Sequence, residues 1–122
     1  APTIAAMVLK GADTNRIKAQ IGPCLQKHNL KIGREAPEIY DMFKQTVGHT
    51  EFLTDHPHED GKILFDNAGM IIAQLQEAGV TAIEADETCT LDQAEHYYSY
   101  RYRQHDAAHE NMRNVSLIWR ED

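Results

Sequence analysis

The residues with the greatest capacity for chemistry form a short run near the end of the chain, residues 97–103, with the sequence YYSYRYR. Arginine guanidinium groups bind oxyanions through paired hydrogen bonds, and arginine also stacks on aromatic rings. The run therefore indicates a site for an aromatic or anionic ligand. The alternative is a strand whose tyrosine rings cover a core and leave their hydroxyl groups at its rim. The sequence leaves both interpretations open.

A second polar cluster lies in the segment 48–61, where His56, His58, Glu59 and Asp60 follow one another closely. Histidines separated by one residue, with carboxylates nearby, can bind zinc or copper. The segment is also rich in Pro, Gly and Asp, which are typical of solvated turns. We favour the turn, because no rigid element supports the potential ligands.

The two cysteines, Cys24 and Cys89, lie far apart in the sequence. A cysteine nucleophile needs a neighbouring base or cation that favours the thiolate. The sequence identifies no base beside either thiol. Burial is the commoner fate of a lone cysteine, so we favour burial over catalysis for both.

Hydrophobic periodicity predicts the elements that must position these residues. Helices are predicted over residues 3–10, ended by Gly11; over 36–47; and from a cap at Asp66 or Asn67 to Gly79. Strands are predicted over residues 17–21, 51–53, 62–65, 80–85 and 115–119, with an irregular segment over 25–33 and a short helical turn over 91–94. These elements predict an α+β fold, a mixed sheet with flanking helices. The strand–helix–strand order over 62–85 suits either a βαβ unit or an antiparallel strand beside a helix.

Composition limits the function classes. The 122 residues predict a single domain over 1–122. A formal charge of −7 without a basic stripe argues against nucleic acid and anionic membrane as partners. No apolar run approaches the roughly 20 residues that cross a bilayer, and no signal-peptide pattern opens the chain. Two cysteines form no secreted disulfide framework, so we predict a cytoplasmic location.

A series of short motifs resembles the YfiH/laccase-domain family, and together they run from about residue 17 to residue 119. They are Ile21-Gly22-Pro23-Cys24, Lys31-Ile32-Gly33, Phe65-Asp66, Ala78-Gly79-Val80, Cys89-Thr90, Tyr97-Tyr98-Ser99-Tyr100-Arg101, His105 and Arg113-Asn114-Val115-Ser116-Leu117-Ile118. Each motif is short, but their order and spacing are specific. Two positions depart from the family pattern. Tyr102 replaces the second arginine of the family's SYRR motif, and Met112 replaces the glycine before the final arginine, where a glycine permits close backbone approach.

The resemblance implies a layered α/β/β/α fold when complete, and the activity of a purine nucleoside phosphorylase, formerly described as a polyphenol oxidase or laccase. Such a reaction needs cationic donors for phosphate and a proton donor for the departing base. On this basis Arg101, Arg113 and Tyr100 are candidate substrate-binding residues, and His105 is the candidate catalytic residue. The alternatives are surface ion pairs for the arginines, in a chain with 19 acidic residues, and an exposed loop position for His105.

The resemblance also implies a zinc or copper site made of a histidine, a cysteine and a second histidine, the last in a His-Ala-Gly-Trp-Arg-Gly motif, all upstream of the Ile-Gly-Pro-Cys motif. The present sequence contains no such motif and opens at Ala1 within a helical pattern. We therefore expect a carboxy-terminal half that supports no family metal site alone, is inactive in isolation and has the missing amino-terminal half as its partner. The alternatives are a non-catalytic fragment and a small acidic ligand-binding module.

Overall fold

The computed structural model describes residues 2–33, 41–42, 45, 48, 50–99 and 114–115. Within these ranges the main elements are α1 (Pro2–Leu9), β1 (Lys18–Ile21), β2 (Lys31–Gly33), β3 (Leu53–Asp55), β4 (Lys62–Phe65), α2 (Asn67–Glu77) and β5 (Ala82–Ala85). Single-turn 3₁₀ helices lie at Thr14–Arg16, Lys27–Asn29 and Thr50–Phe52. Helices combined with parallel and antiparallel sheets confirm the predicted α+β fold. No helix in the described ranges has the length and apolar character needed to cross a membrane.

The strands divide between two sheets. β1 and β5 pair in parallel, with Lys18 opposite Ala82 and Ile21 opposite Ala85. In the other sheet β4 is central and pairs antiparallel with β2 on one edge and β3 on the other. Alternate residues of β4, Ile63 and Phe65, are buried, so one face of this sheet supplies much of the core.

Helix α2 connects the two sheets. The sequence left open whether residues 62–85 form a βαβ unit or an antiparallel arrangement. In the structure β4 pairs with β2 and β3, whereas β5 pairs with β1, much earlier in the chain. β4 is therefore an antiparallel strand followed by a helix, which agrees with the second of the two predicted arrangements. The βαβ unit does not form, because β4 and β5 lie in different sheets. Periodicity reports which residues are buried and carries no information about the pairing partner.

Helices α1 and α2 each end at a glycine, as predicted. Gly11 and Gly79 have φ angles of 93° and 86°, in the left-handed region. The N–H of Ala12 donates to the carbonyl of Met7, and the N–H of Val80 donates to the carbonyl of Leu75, each at 3.0 Å. These are the long hydrogen bonds of Schellman motifs, which satisfy helix carbonyls and turn the chain sharply.

The start of α2 depends on a side-chain cap at Asp66, whose Oδ1 accepts from the N–H of Gly69 at 2.8 Å. We expect Asp66→Ala to lower the free energy of unfolding by about 1 kcal/mol, because this N–H loses its acceptor. Asp66→Asn keeps an acceptor and is expected to retain most of the stability. Urea unfolding followed by circular dichroism measures both, and equal losses in the two variants would contradict the capping role.

The buried apolar side chains of the described residues come from distant parts of the chain. Ile4 comes from α1, Ile63 and Phe65 from β4, and Val80 from the turn before β5. Cys89 joins them and is 4% exposed. The segment that follows β5 therefore contributes Cys89 to the buried residues.

Three short predictions differ from the structure. Residues 25–33, predicted to be irregular, contain a 3₁₀ turn and β2. The strand predicted over 51–53 begins only at Leu53, because Thr50–Phe52 forms a 3₁₀ turn. Val115, predicted to lie in a buried strand, is 76% exposed. Elements of three residues are too short to show a period, and an apolar side chain is buried only where a facing surface exists.

The predicted helix over 36–47 and the rest of the strand over 115–119 lie mostly outside the described residues. Asp41, Met42 and Gln45 have helical conformation, in agreement with the predicted helix.

Candidate functional site

The residues that the sequence predicts for substrate binding and acid–base chemistry, Tyr100, Arg101, His105 and Arg113, lie outside the described residues. The departures Tyr102 and Met112 lie outside them too. These residues belong to the segment 100–113. The residues that flank this segment are described, and a contact between them joins its two ends.

The side chain of Asn114 joins the two ends of the segment. The N–H of Tyr98 donates to Asn114 Oδ1 at 2.8 Å, and Asn114 Nδ2 donates to the carbonyl of Tyr98 at 2.8 Å. The amide of Asn114 thus makes the same two hydrogen bonds to Tyr98 that a backbone residue makes across a pair of strands. Asn114 directly follows Arg113, and Tyr98 shortly precedes Tyr100, so the two candidate motifs meet at this contact.

A second group of reactive side chains, which the sequence did not predict, lies near the carboxyl ends of β1 and β5. A ring nitrogen of His28, the thiol of Cys89 and a carboxylate oxygen of Asp92 all lie within 4.8 Å of one another. In the part of the chain that the structure describes, no other set of three such donors is as close. We call these residues the His28–Cys89–Asp92 cluster.

The backbone brings this cluster together through Cys24. Cys24 forms a parallel bridge with Cys89, in which the N–H of Cys24 donates to the carbonyl of Thr88 at 3.3 Å and the N–H of Thr90 donates to the carbonyl of Cys24 at 3.0 Å. The bridge extends the pairing of β1 and β5 beyond the strands. After the bridge the N–H of Gln93 donates to the carbonyl of Cys89 at 3.1 Å, which folds the chain into turns near the predicted helical turn over 91–94. Cys89 and Asp92 are thereby placed beside His28.

Hydrogen bonds connect the side chains of the cluster. His28 Nε2 lies 2.6 Å from Asp92 Oδ2. Asn29 Nδ2 donates to Asp92 Oδ1 at 2.6 Å and to Cys89 Sγ at 3.3 Å. The side chains of His28 and Asp92 are 61% and 53% exposed, whereas Cys89 is buried. The cluster is therefore a shallow cup with a thiol at its base and an imidazole and a carboxylate at its rim.

The two thiols have opposite electrostatic environments. Burial acts to raise the pKa of the Cys89 thiol, but hydrogen bonds from the Asn29 side chain and from nearby backbone N–H groups outweigh burial and leave that pKa below its ordinary value. Burial, followed by the nearby charge of Cys89, raises the pKa of the Cys24 thiol. The hydrogen bond between His28 and Asp92 raises the pKa of His28 and lowers the pKa of Asp92. Cys89 is therefore the cysteine with the more stable thiolate.

The structure corrects one conclusion about the cysteines and agrees with another. The sequence identified no base beside either thiol, yet His28 lies beside Cys89. Cys89 is buried and Cys24 is half-buried, and both are free thiols. The available signals were a histidine shortly after the Ile-Gly-Pro-Cys motif and the Cys-x-x-Asp spacing of Cys89 and Asp92. Neither signal reveals that β1 and β5 pair, and that pairing creates the cluster.

The histidine-rich loop has the character of a turn. His56 Nδ1 accepts from the N–H of His58 at 3.2 Å, and His56 Nε2 lies 3.4 Å from Glu59 Oε1. Glu59 also pairs with Lys31, and the hydrogen bond from Lys31 lowers the pKa of this carboxyl. Because both ring nitrogens of His56 and the carboxylate of Glu59 have partners within the protein, the geometry favours the turn over a metal site.

Comparison with known families identifies the family of the chain. The family described as multi-copper polyphenol oxidoreductase laccase matches residues 1–121. The match covers nearly the whole sequence, so the chain belongs to this family, and the resemblance drawn from its motifs is confirmed. No curated protein matches the chain.

Proposed function

We propose that this member of the laccase family takes part in the phosphorolysis of a purine nucleoside, adenosine or inosine, as the carboxy-terminal half of a metal-dependent phosphorylase. The family match over residues 1–121 carries the proposal, because it includes the motifs that hold the candidate residues. The contact between Asn114 and Tyr98 supports it, because this contact joins the two ends of the segment on which those residues lie.

The chemistry assigns a role to each candidate residue. A phosphate oxygen forms a bond to the anomeric carbon of the ribose, and the bond from that carbon to the base nitrogen breaks. The base leaves with the bonding electron pair and takes up a proton, which gives free base and ribose 1-phosphate. In the proposed site Arg101 and Arg113 hold the phosphate through paired hydrogen bonds, Tyr100 contacts the nucleoside, and His105 supplies the proton.

The metal of the family is a separate part of the proposal. The family description names copper, and the resemblance implies zinc as an alternative metal for the same site. A bound ion of this kind polarises an oxygen or activates water. The donor types of the His28–Cys89–Asp92 cluster fit zinc, but the resemblance assigns the family centre to a His/Cys/His set on an upstream segment. We therefore propose an amino-terminal partner segment with a His-Ala-Gly-Trp-Arg-Gly motif.

The proposal predicts phosphate-dependent loss of inosine or adenosine by the chain combined with that segment, and none by the 122-residue chain alone. An intact-mass spectrum under denaturing conditions first establishes whether a second polypeptide accompanies the 13.9 kDa chain. Chromatography then separates nucleoside from free base in phosphate buffer, with sulfate buffer as the control. Release of base at equal rates in both buffers would indicate hydrolysis, and no release by the combined protein would contradict the proposal.

Oxidation of polyphenols is the second candidate function, because the family description names it. It would transfer electrons from a catechol to dioxygen through copper. The same preparation, loaded with copper, is assayed for oxygen uptake with a catechol. Oxygen uptake that depends on copper, without phosphate-dependent release of base, would favour the oxidoreductase.

A further inference from the structure

We propose that His28, Cys89 and Asp92 form a zinc-binding site on this chain, with a further coordination position open to solvent. The site is distinct from the segment proposed for phosphorolysis, and the inference does not depend on the phosphorolysis proposal. It also uses none of the upstream residues that the resemblance assigns to the family metal.

The spacing of the donor atoms suits one shared ion. Zinc binds thiolate sulfur at about 2.3 Å and imidazole nitrogen or carboxylate oxygen at about 2.0 to 2.2 Å, so two ligands of a tetrahedral ion lie about 3.3 to 3.8 Å apart. The three donor atoms already lie within 4.8 Å of one another. The pair His28 Nε2 and Asp92 Oδ2, at 2.6 Å, must separate slightly to admit the ion. Both side chains are more than half exposed and can make that movement.

The donor set favours zinc over other common ions. One thiolate, one imidazole and one carboxylate match the mixed sulfur, nitrogen and oxygen ligands of zinc. Magnesium and calcium require a shell of oxygen atoms, which a thiol and an imidazole do not provide. Copper(I) prefers several soft ligands, and the cluster offers a single sulfur. Three protein ligands with an open position are the arrangement of zinc sites that also bind water.

The protein holds the ligands in place before any ion binds. The Cys24–Cys89 bridge fixes the backbone of the sulfur ligand, and Cys89 is 4% exposed. Asn29 Nδ2 contacts both Cys89 Sγ and Asp92 Oδ1, so one amide orients two of the three ligands. Hydrogen-bonded partners of this kind raise the metal affinity of the ligands that they orient.

A catalytic cysteine is the main alternative for the same three residues, and burial argues against it. A nucleophile must contact a substrate atom, whereas Cys89 is buried and the histidine and carboxylate form the exposed rim. A small ion held between the rim and the thiol needs no such approach by a substrate.

The test uses the 122-residue chain after removal of metals with a chelator. Zinc is titrated against a chromophoric chelator, and cobalt(II) serves as a spectroscopic substitute, because a cobalt–thiolate bond gives a charge-transfer band in the near ultraviolet. We expect one ion per chain, a cobalt–thiolate band and a higher melting temperature with zinc. His28→Ala and Asp92→Ala each replace an exposed ligand and are expected to lower zinc affinity by about 100-fold or more, and Asn29→Ala by about 10- to 100-fold.

Cys24→Ser is the matched control. It removes the thiol of the residue that pairs with Cys89 through the backbone, and it leaves all three ligands in place. We expect the cobalt–thiolate band to persist in Cys24→Ser and to disappear in Cys89→Ser. Because Cys89 is buried and its variant can fail to fold, the zinc affinity of His28→Ala provides an independent test of the site. Zinc affinity unchanged in His28→Ala, a band lost only in Cys24→Ser, or binding of copper(I) without binding of zinc would each overturn the zinc site.

Discussion

Replacement of Arg101 by alanine is expected to lower kcat/KM for the proposed phosphorolysis, assayed with the proposed amino-terminal segment, by about 100- to 1000-fold. This is the loss that follows removal of one strong donor to a charged transition state. In the proposed reaction, phosphate approaches a carbon that gains positive character as the glycosidic bond breaks, and its oxygens must be held in line. A guanidinium group binds two oxygens in a fixed plane, so its loss affects both the position and the charge of the phosphate. Initial rates at varied phosphate concentration measure the effect.

Two matched variants separate recognition of phosphate from a general effect of charge. Arg101→Lys keeps the charge but not the paired geometry and is expected to recover only part of the activity. Arg16→Ala removes an exposed arginine far from the motif in the sequence and is expected to leave kcat/KM unchanged. A loss in Arg16→Ala as large as the loss in Arg101→Ala would mean that net charge, and not a bound phosphate, controls the rate.

Arg113 provides a second test of the same site. If Arg101 and Arg113 hold one phosphate, Arg113→Ala also raises the KM for phosphate, and the double variant loses less than the product of the single losses. Fully independent effects would place the two side chains at different parts of the substrate. Asn114→Ala removes the contact with the backbone of Tyr98 and is expected to lower activity in the same direction without removing a charge.

Local signals explain most of what the sequence predicted correctly. The glycines Gly11 and Gly79, the cap Asp66 and the apolar run of β4 each depend on the chemistry of a few neighbouring residues. The structure places helix ends, the cap and the strand where these residues predict them. A glycine with positive φ or an aspartate acceptor at an amino terminus acts within one turn of the chain.

The sequence could not predict the properties that depend on partners distant in the chain. Nothing local shows that β5 pairs with β1, that Cys24 lies opposite Cys89, or that His28 reaches Cys89 and Asp92. For the same reason the cysteines appeared to lack a base. The motifs identified the family, and the family match confirms it. The candidate site residues remain predictions, because Tyr100, Arg101, His105 and Arg113 lie outside the described residues.

Gly79→Ala is expected to lower the free energy of unfolding by about 1 kcal/mol or more, and by more than the same change at Gly11. Both glycines have φ in the left-handed region, at 86° and 93°, where a side chain costs about 1 to 2 kcal/mol. Reduced freedom of the unfolded chain offsets about 0.4 to 1 kcal/mol of this cost at either position. The surroundings differ, because a Cβ at Gly79 would lie 3.3 Å from Thr14 Oγ1, whereas a Cβ at Gly11 meets no atom within 4 Å.

A double-mutant cycle separates the two contributions at Gly79. Thr14→Ala removes the hydroxyl that the new Cβ would meet, so Gly79→Ala in that background is expected to cost about as much as Gly11→Ala. Urea unfolding of the single and double variants gives the coupling energy. Equal costs at Gly79 and Gly11 in the native background would mean that the chain moves freely away from Thr14. We expect the contact to persist, because Val80, the next residue, is 0% exposed, and because the strand that follows is fixed against β1.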